Sequence, residues 1–270
     1  MRTITLVSEL QAALRAIRAG RTVGLVPTMG SLHEGHLSLV RAARAENDIV
    51  VMTVFVNPAQ FEESQDLDRY PRDLDRDAKL ASSAGVDLLF APTRDELYVS
   101  GHQTWVDVED LGRILEGASR PGHFRGVATV CLKLFNLIRP DRAYFGLKDA
   151  QQAAVLERMV LDLNLDLELR LCPTVRDPDG LAFSSRNVHL EPEERAKAVA
   201  LPRALRAGAE AYRDGAHADS VARTILAGQR GIEREYVEVV QLGERLVLAA
   251  AIRVGSTRLI DNVLLEGESS

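Results

Sequence analysis

Hydrophobic and polar positions along the first two-thirds of the chain predict strands and helices in alternation. Residues 49–56, Ile-Val-Val-Met-Thr-Val-Phe-Val, form an almost unbroken apolar run, which is typical of a parallel strand buried on both faces. Shorter apolar runs predict further strands at residues 22–26, 88–90, 142–145 and 167–171. Apolar residues at helical spacing predict helices at residues 37–47, 74–84, 127–138 and 155–163. This alternation indicates an α/β domain with a parallel sheet and helices on both faces.

The pattern changes after a turn-rich stretch at residues 173–180, which contains Asp177-Pro178-Asp179-Gly180. Beyond it, helical spacing predicts helices at residues 192–214 and 218–229, and apolar runs predict strands at residues 236–242, 246–254 and 258–265. Helices followed by consecutive strands favour a small α+β domain. We therefore predict a first domain over residues 1–174 and a second over residues 175–270.

Composition excludes several classes of protein. The 270 residues are 46% hydrophobic and carry 33 basic and 39 acidic side chains, a formal net charge of −6, so we expect neither nucleic acid nor a membrane as a partner. No apolar run reaches the ~18 residues of a membrane span, and Glu9 interrupts any signal-peptide pattern. Cys131 and Cys172 lie among apolar residues, which predicts buried thiols in a reducing cytoplasm.

Residues 27–36, Pro-Thr-Met-Gly-Ser-Leu-His-Glu-Gly-His, follow the first predicted strand and begin the first long helix. Gly30 and Gly35 allow a tight turn, and free N–H groups at a helix start suit a phosphate. His33 and His36 share a helical face and could donate to phosphate oxygens in a transition state. They could instead be zinc ligands or ordinary residues at a helix start, although their spacing differs from His-Glu-x-x-His and no third ligand is evident.

Two further segments carry polar side chains at the ends of predicted strands. Asn57-Pro-Ala-Gln60 follows the strand at 49–56, where open parallel sheets bind ligands. The Gln60 amide both donates and accepts, so it could contact a carboxylate beside a hydroxyl, or it could simply be solvated in a turn. Lys148 offers a cation for phosphate, Asp149 a helix cap, and Gln152 lies one turn into the next helix; an ordinary surface lysine is the alternative for Lys148.

Two loops complete the set of candidate segments. Ser184, Ser185 and Arg186 lie in a loop after the predicted domain boundary and could close over a triphosphate, or form only a polar linker. Residues 115–126 contain three glycines, two arginines and one histidine. They could form a lid or substrate wall, or a plain surface loop.

Taken together and in order, these segments resemble the pantothenate synthetase (pantoate–β-alanine ligase) family from about residue 24 to residue 190. The matching segments are residues 29–36, 55–61, 70–72, 115–126, 145–149 and 184–187. The resemblance implies a Rossmann-like first domain and a C-terminal lid domain. It also implies ATP as a substrate with Mg²⁺, and a homodimer formed through the first domain. The reaction would join pantoate to β-alanine through a pantoyl adenylate, releasing pyrophosphate and AMP.

The resemblance also implies roles for individual residues. His36 would donate a proton toward pyrophosphate and His33 would assist, with Lys148 and Arg186 as cations near the phosphates. ATP would contact Met29, Gly30, Ser31, Leu32, His33, Glu34, Gly35, His36, Gly146, Leu147, Lys148, Asp149, Val175, Phe183, Ser184, Ser185 and Arg186. Pantoate would contact Asn57, Gln60 and Gln152, with Gln60 also near β-alanine. Asp77 would be a candidate for a magnesium ligand, through water.

The chain departs from the family's usual pattern at a few positions. Leu147 replaces a glutamate, and Ala150 replaces an aromatic residue. Ala59 stands where the family often has Met, and Phe183 stands where it often has Met or Leu. We expect these changes to alter KM values before they alter chemistry. The alternative functions are another small-molecule nucleotidyltransferase, which would not need Asn-Pro-Ala-Gln and the Gln151–Gln152 pair, and a non-catalytic nucleotide-binding protein.

Overall fold

The computed structural model describes residues 1–61, 67–68 and 70–266. The chain forms two compact units. The first comprises residues 1–146 and 151–172, and the second comprises residues 147–150 and 173–270. The short segment 147–150 therefore belongs with the C-terminal part of the chain, although it lies far earlier in the sequence.

Within the described residues, the first unit contains a six-stranded parallel sheet in the order β1-β4-β3-β2-β5-β6. The strands are β1 Arg2–Ile4, β2 Val23–Thr28, β3 Ile49–Val54, β4 Leu88–Phe90, β5 Arg142–Gly146 and β6 Glu168–Cys172. The helices are α1 Val7–Ile17, α2 Glu34–Glu46, α3 Leu74–Ser83, α4 Arg94–Leu97, α5 Glu116–Ser119, α6 His123–Ile138 and α7 Ala150–Asp162, which starts at the unit boundary. The predicted α/β class is thus confirmed.

The apolar run of β3 is buried on both faces of the sheet. Val50 and Met52 pack in one core cluster with residues of α2 and α3. Ile49 and Val51 are fully buried as well, and successive side chains of a strand point to opposite faces. A strand covered on both sides needs no polar alternation, which explains its uniform composition.

The second unit combines three helices with an antiparallel sheet in the order β7-β8-β9 among its described residues. Its elements are α8 Pro192–Ala198, α9 Ala200–Arg213, α10 Ala218–Ala227, β7 Ile232–Leu242, β8 Arg245–Val254 and β9 Thr257–Glu266. The single helix predicted over residues 192–214 is wrong, because the helix is interrupted at Val199. Pro202 cannot donate a hydrogen bond to the carbonyl of Ala198, and its ring crowds that carbonyl.

The two cysteines differ in burial. Cys131 is 4% exposed in α6, whereas Cys172 is only partly buried at the end of β6, so the prediction of a buried thiol is confirmed for the first and wrong for the second. Burial raises the pKa of the Cys131 thiol to about 12. Both thiols are free. Among the described residues, none of the helices has the length and apolar character needed to span a membrane.

Candidate active site

The topology of the sheet places three of the predicted segments at neighbouring strand ends. The order β4-β3-β2-β5-β6 means that the chain winds outward from β2 in one direction and then returns to β5 on the other side. In open parallel sheets, ligands bind at the carboxyl ends of the strands where this reversal occurs. Residues 29–33 follow β2, Asn57 and Gln60 follow β3, and Gln152 lies in α7 after β5.

The turn after β2 is fixed by a carboxylate from α3. Asp77, 1% exposed, accepts hydrogen bonds from the backbone N–H groups of Ser31 and Leu32, each at 2.8 Å. Gly30 has φ +84°, and a Cβ there would lie 2.9 Å from the Asp77 Oδ2 atom, so only glycine fits. The backbone N–H groups of Ser31 and Leu32, two residues assigned to ATP, are therefore used within the protein, and the predicted anion contact at the start of α2 stays a prediction.

His33 and His36 lie together at the start of α2, as their spacing predicts. Their rings stack with centroids 4.0 Å apart and planes inclined by 29°. His33 is the residue before the helix, and its N–H donates to the His36 Nδ1 atom at 3.4 Å. An Nδ1 that accepts leaves the proton of a neutral imidazole on Nε2. His36 is thereby prepared to donate from Nε2.

The segment after β3 is held by a buried amide. Asn57, 1% exposed, accepts the N–H of Ala59 at 3.3 Å and donates to the Gln60 Oε1 atom at 2.9 Å. The Gln60 Nε2 group in turn lies 3.2 Å from the Met29 sulfur. Gln60 and the turn after β2, which the sequence assigned separately to pantoate and ATP, are therefore in direct contact.

The glycine-rich segment at residues 115–126 supports Gln60 rather than forming only a surface loop. His123 Nδ1 and an Arg120 N–H group approach the Gln60 carbonyl oxygen at 2.9 and 3.3 Å. A Cβ on Gly126 would overlap the Ala59 carbonyl, which explains the glycine where α6 passes this turn. The segment thus contacts the backbone of Gln60 and Ala59, and its predicted role as a lid or substrate wall stays a prediction.

The two glutamines at the start of α7 have different surroundings. Gln151 is buried; it accepts the N–H of Glu116 at 3.0 Å and donates to the carbonyls of Leu111 and Ile114 at 2.7 Å each. Gln151 therefore anchors the segment before α5. Gln152 is partly exposed, and its predicted contact with pantoate stays a prediction.

In the second unit, Lys148 is carried by a short turn that β9 fixes. The Lys148 Nζ atom lies 3.3 Å from the Asp149 carboxylate, and the lysine side chain is only 19% exposed. Asn262, in β9, donates to the carbonyls of Leu147 and Lys148 at 2.9 Å each. Leu147 is buried, so the departure from the family's glutamate removes a charge from an apolar position. Asp149 belongs to this turn, and α7 begins at the next residue.

The predicted phosphate loop forms a second ordered piece of this unit. The N–H of Phe183 donates to the carbonyl of Val175 at 3.1 Å, which pairs the two residues that we assigned to the nucleotide. Ser184 caps the following turn by accepting the N–H of Arg186 at 3.3 Å. Lys148, Ser184 and Arg186 line one cleft, so the structure brings these predicted phosphate contacts together.

Two residues that shape these places were missed from the sequence: Tyr98 and Asn262. Each acts through a partner far away in sequence, and no local pattern marks such a pairing. Within residues 1–61, 67–68 and 70–266, no group of three His, Cys, Asp or Glu side chains is arranged to hold a metal ion.

Comparison with known proteins identifies the family. The family model for pantoate-beta-alanine ligase matches residues 2–264. The pantothenate synthetase of Acetivibrio thermocellus is 51% identical over 98% of this chain and 100% of its own length. That of Roseiflexus sp. is 53% identical with the same coverage.

Solved structures agree. Pantothenate synthetase from Thermus thermophilus superimposes with a TM-score of 0.93 at 48% identity, covering 99% of this chain and 100% of that one. The pantoate-beta-alanine ligase of Francisella tularensis, solved in complex with beta-gamma ATP and beta-alanine, gives a TM-score of 0.85 at 34% identity with both chains fully covered. On sequence and on fold, the chain belongs to the pantoate–β-alanine ligase family.

Proposed function

We propose that this enzyme condenses pantoate with β-alanine to form pantothenate at the expense of ATP. The observation that carries the proposal is that two groups of polar side chains, the histidine pair and Gln60, belong to adjoining segments at one edge of the sheet. A stacked histidine pair begins α2, and the Gln60 amide touches Met29 of the turn that leads into it. The histidine pair at the helix start suits a polyphosphate, and the Gln60 amide suits a small hydroxy acid.

The reaction needs two steps because a free carboxylate does not react with an amine. A pantoate carboxylate oxygen attacks the α-phosphorus of ATP, and the bond from that phosphorus to pyrophosphate breaks. The β-alanine nitrogen then attacks the acyl carbon of pantoyl adenylate, AMP leaves, and the nitrogen loses a proton. AMP is a far better leaving group than oxide, which is why ATP is consumed.

Phosphoryl transfer requires mainly positioning and neutralisation of charge. His36 would donate from Nε2 toward the departing pyrophosphate, with His33 holding its Nδ1 atom. Lys148 and Arg186 would neutralise phosphate charge, and Val175 and Phe183 would contact the nucleoside. Gln60 and Gln152 would bind pantoate, with Asn57 behind Gln60.

Mg²⁺ would accompany ATP in this scheme. The residues fit it in the way expected for a metal carried by a nucleotide, since Mg²⁺ retains several waters and binds phosphate oxygens rather than a protein cage. Asp77 is the residue that we propose as a ligand through water, because its carboxylate borders the turn that would hold ATP, where it accepts the Ser31 and Leu32 N–H groups and pairs with Arg76 at 3.6 Å. The metal would stabilise negative charge on the phosphates.

We carry forward three broader proposals: a lid role for residues 175–270 beside a substrate-binding domain at 1–174, a homodimer through the first domain, and a cytoplasmic location. Exposed large apolar side chains at Val99, Trp105 and Ile114 in the first unit support a self-association surface. Two free thiols support a reducing compartment.

Release of pyrophosphate and AMP tests the reaction. With ATP, Mg²⁺ and pantoate alone, we expect about one pyrophosphate per active site, followed by turnover and AMP when β-alanine is added. If ATP released pyrophosphate in the presence of a nucleoside monophosphate but not in the presence of pantoate, the protein would be another nucleotidyltransferase.

A further inference from the structure

A buried polar chain runs from Tyr98 to Gln60. The Tyr98 hydroxyl donates to the Asn57 Oδ1 atom at 2.9 Å, and Asn57 Nδ2 donates to Gln60 Oε1 at 2.9 Å. Tyr98 lies just after α4 and is 5% exposed, Asn57 is 1% exposed and Gln60 is 8% exposed. Water is thus largely excluded from the chain, and each polar atom depends on its protein partners.

All hydrogen-bonding positions of the Asn57 amide are filled. Its oxygen accepts from the Tyr98 hydroxyl and from the Ala59 N–H group. Its nitrogen donates one proton to Gln60 Oε1 and the other to the carbonyl of Gly126 at 3.1 Å. The opposite amide orientation would direct NH₂ protons at the Ala59 N–H and place an oxygen against the Gly126 carbonyl, so only one orientation is satisfied.

The orientation of Asn57 determines that of Gln60. Because Asn57 offers a proton, Gln60 must turn its oxygen toward Asn57 and its NH₂ group away from it. One proton of that NH₂ faces the Met29 sulfur at 3.2 Å, a weak acceptor, and the other is available to a ligand. Gln60 therefore meets a ligand as a hydrogen-bond donor, rather than as the donor and acceptor that its residue type alone allows.

We propose that Tyr98 is a positioning residue for pantoate recognition: its hydroxyl locks the Asn57 amide, and Asn57 locks Gln60 so that NH₂ protons face an oxygen of the substrate. The inference rests on the proposed function, in which Gln60 binds pantoate. The acceptor would be a carboxylate or hydroxyl oxygen of a small hydroxy acid. Burial together with the nearby Cys131 raises the pKa of Tyr98 to about 12, so the hydroxyl keeps its proton throughout the working pH range.

Substitution of Tyr98 by phenylalanine removes only the hydroxyl. Without it, the Asn57 oxygen keeps only the Ala59 N–H group as a partner, so the Asn57 amide, and Gln60 through it, is held less firmly in this orientation. We expect Tyr98→Phe to raise the pantoate KM about tenfold in the pyrophosphate-release assay, in line with the loss of one buried hydrogen bond. The ATP KM should stay within about twofold of its normal value. General damage to the fold would instead raise the KM values of ATP and pantoate together.

Tyr144→Phe is the matched control. Tyr144 is a buried tyrosine of the same unit whose hydroxyl bonds to Glu46 and Asn47, so its loss removes the same group without touching Gln60. It should lower the melting temperature and leave the pantoate KM unchanged. An equal rise in pantoate KM for both tyrosine variants, or an equal rise in ATP and pantoate KM for Tyr98→Phe, would overturn the positioning role.

Gln60→Glu separates the inference from the proposed function. If it raises the pantoate KM while Tyr98→Phe does not, Gln60 binds pantoate and the role of Tyr98 is wrong. If Gln60→Glu leaves the pantoate KM unchanged, the proposed function of Gln60 itself fails.

A measurement on the unsubstituted protein guards against a Tyr98→Phe chain that does not fold. In ¹⁵N NMR, both Asn57 side-chain amide protons should exchange with water far more slowly than those of Asn136, which is exposed in α6. Equal exchange rates at the two asparagines would show that the Asn57 amide is not locked and would reject the proposal.

Discussion

At the scale of single residues, the proposed chemistry depends on which nitrogen of the His36 imidazole keeps its proton. The His33 N–H group donates to His36 Nδ1, so His36 offers Nε2–H at the start of α2, where the helix dipole also favours an anion. A proton donor used in this way mainly stabilises the transition state, in which negative charge develops on the departing pyrophosphate. It contributes little to the binding of ATP itself.

His36→Ala should therefore lower kcat on the order of 10²–10³-fold while ATP still binds, because developing charge loses a donor. Steady-state pyrophosphate release gives kcat, and calorimetry gives the ATP Kd. His217→Ala is the control, since His217 is the residue before another helix, α10, and lies in none of the candidate segments. A His36→Ala enzyme with nearly full kcat would contradict the assigned role.

At the scale of secondary-structure elements, the candidate turn after β2 owes its shape to a different element, α3. Asp77 lies at the fourth position of that helix and uses both carboxylate oxygens on the Ser31 and Leu32 N–H groups. Ser31 has φ +54° and Gly30 has φ +84°, conformations that a turn holds only when surrounding contacts favour them. A carboxylate of α3 thus fixes the backbone from which α2 begins.

Asp77→Ala should lower the free energy of unfolding by about 2–5 kcal/mol, because two buried N–H groups lose their acceptor, and should raise the ATP KM. Urea unfolding and ATP titration measure the two effects. Asp75→Ala, an exposed carboxylate in the same helical turn, should change neither. An Asp77→Ala protein of normal stability that needs more Mg²⁺ would instead favour the metal-ligand role.

A second junction between elements predicts a pH dependence. Burial opposes ionisation of Glu46, at the end of α2, but hydrogen bonds from Tyr144 and Arg170 outweigh it and lower the pKa of this carboxyl. A lowered folded-state pKa gives stability that is present above the ordinary glutamate value, about 4.5, and is lost as the pH falls through the folded-state value. This contribution joins α2 to β5 and β6.

Glu46→Gln should therefore reduce the free energy of unfolding at pH 7 by less than about 1 kcal/mol, because the side chain is 42% exposed and water screens its ion pair. The difference from the unsubstituted protein should shrink as the pH falls below about 4.5, as urea unfolding at several pH values would show. Glu233→Gln, at an exposed position in β7, is the control. A difference that stayed constant or grew with acidity would mean that ionised Glu46 does not stabilise the fold.

Elements with a strong apolar period could be predicted from sequence, whereas elements that depend on distant partners could not. The uniform apolar run predicts the ends of β3 to within two residues. The helical spacing of apolar residues at 127–138 predicts α6 except for its first turn. In contrast, β1 is three residues long and exists by pairing with β4, which no local pattern reveals. β7 begins at Ile232, four residues before its predicted start, because charged side chains on its exposed face hide the alternation.

The same distinction holds for the candidate site. The histidine pair, Gln60, Lys148 and Arg186 each lie in a short motif that is visible in the sequence. The supports that orient them, Asp77 on the turn and Asn262 on the lysine segment, lie 45 or more residues away. Motifs therefore reveal the groups that would meet substrate, but the packing that fixes their geometry becomes visible only in the fold.

At the scale of the whole molecule, the chain crosses between the two units more than once. The chain passes between the two units after residues 146, 150 and 172, so the Lys148 segment belongs to the second unit while the elements before and after it belong to the first. The turn at Asp177–Gly180 is held by Arg195, which bonds to Asp177 and Asp179 at 2.6 and 2.9 Å. This turn is therefore fixed to α8 of the second unit.

If residues 175–270 act as a lid, ATP with pantoate should slow tryptic cleavage after Arg186, because the segment that carries this arginine would close over phosphate and lose access to the protease. Mass spectrometry of timed digests gives the rate at each site. Cleavage after Arg230, in an exposed turn of the same unit, should proceed equally with and without substrates, which separates local closure from general stabilisation by ligand. Equal protection at both arginines would indicate stabilisation of the whole fold, and no protection at Arg186 would remove the reason for assigning this unit the role of a lid.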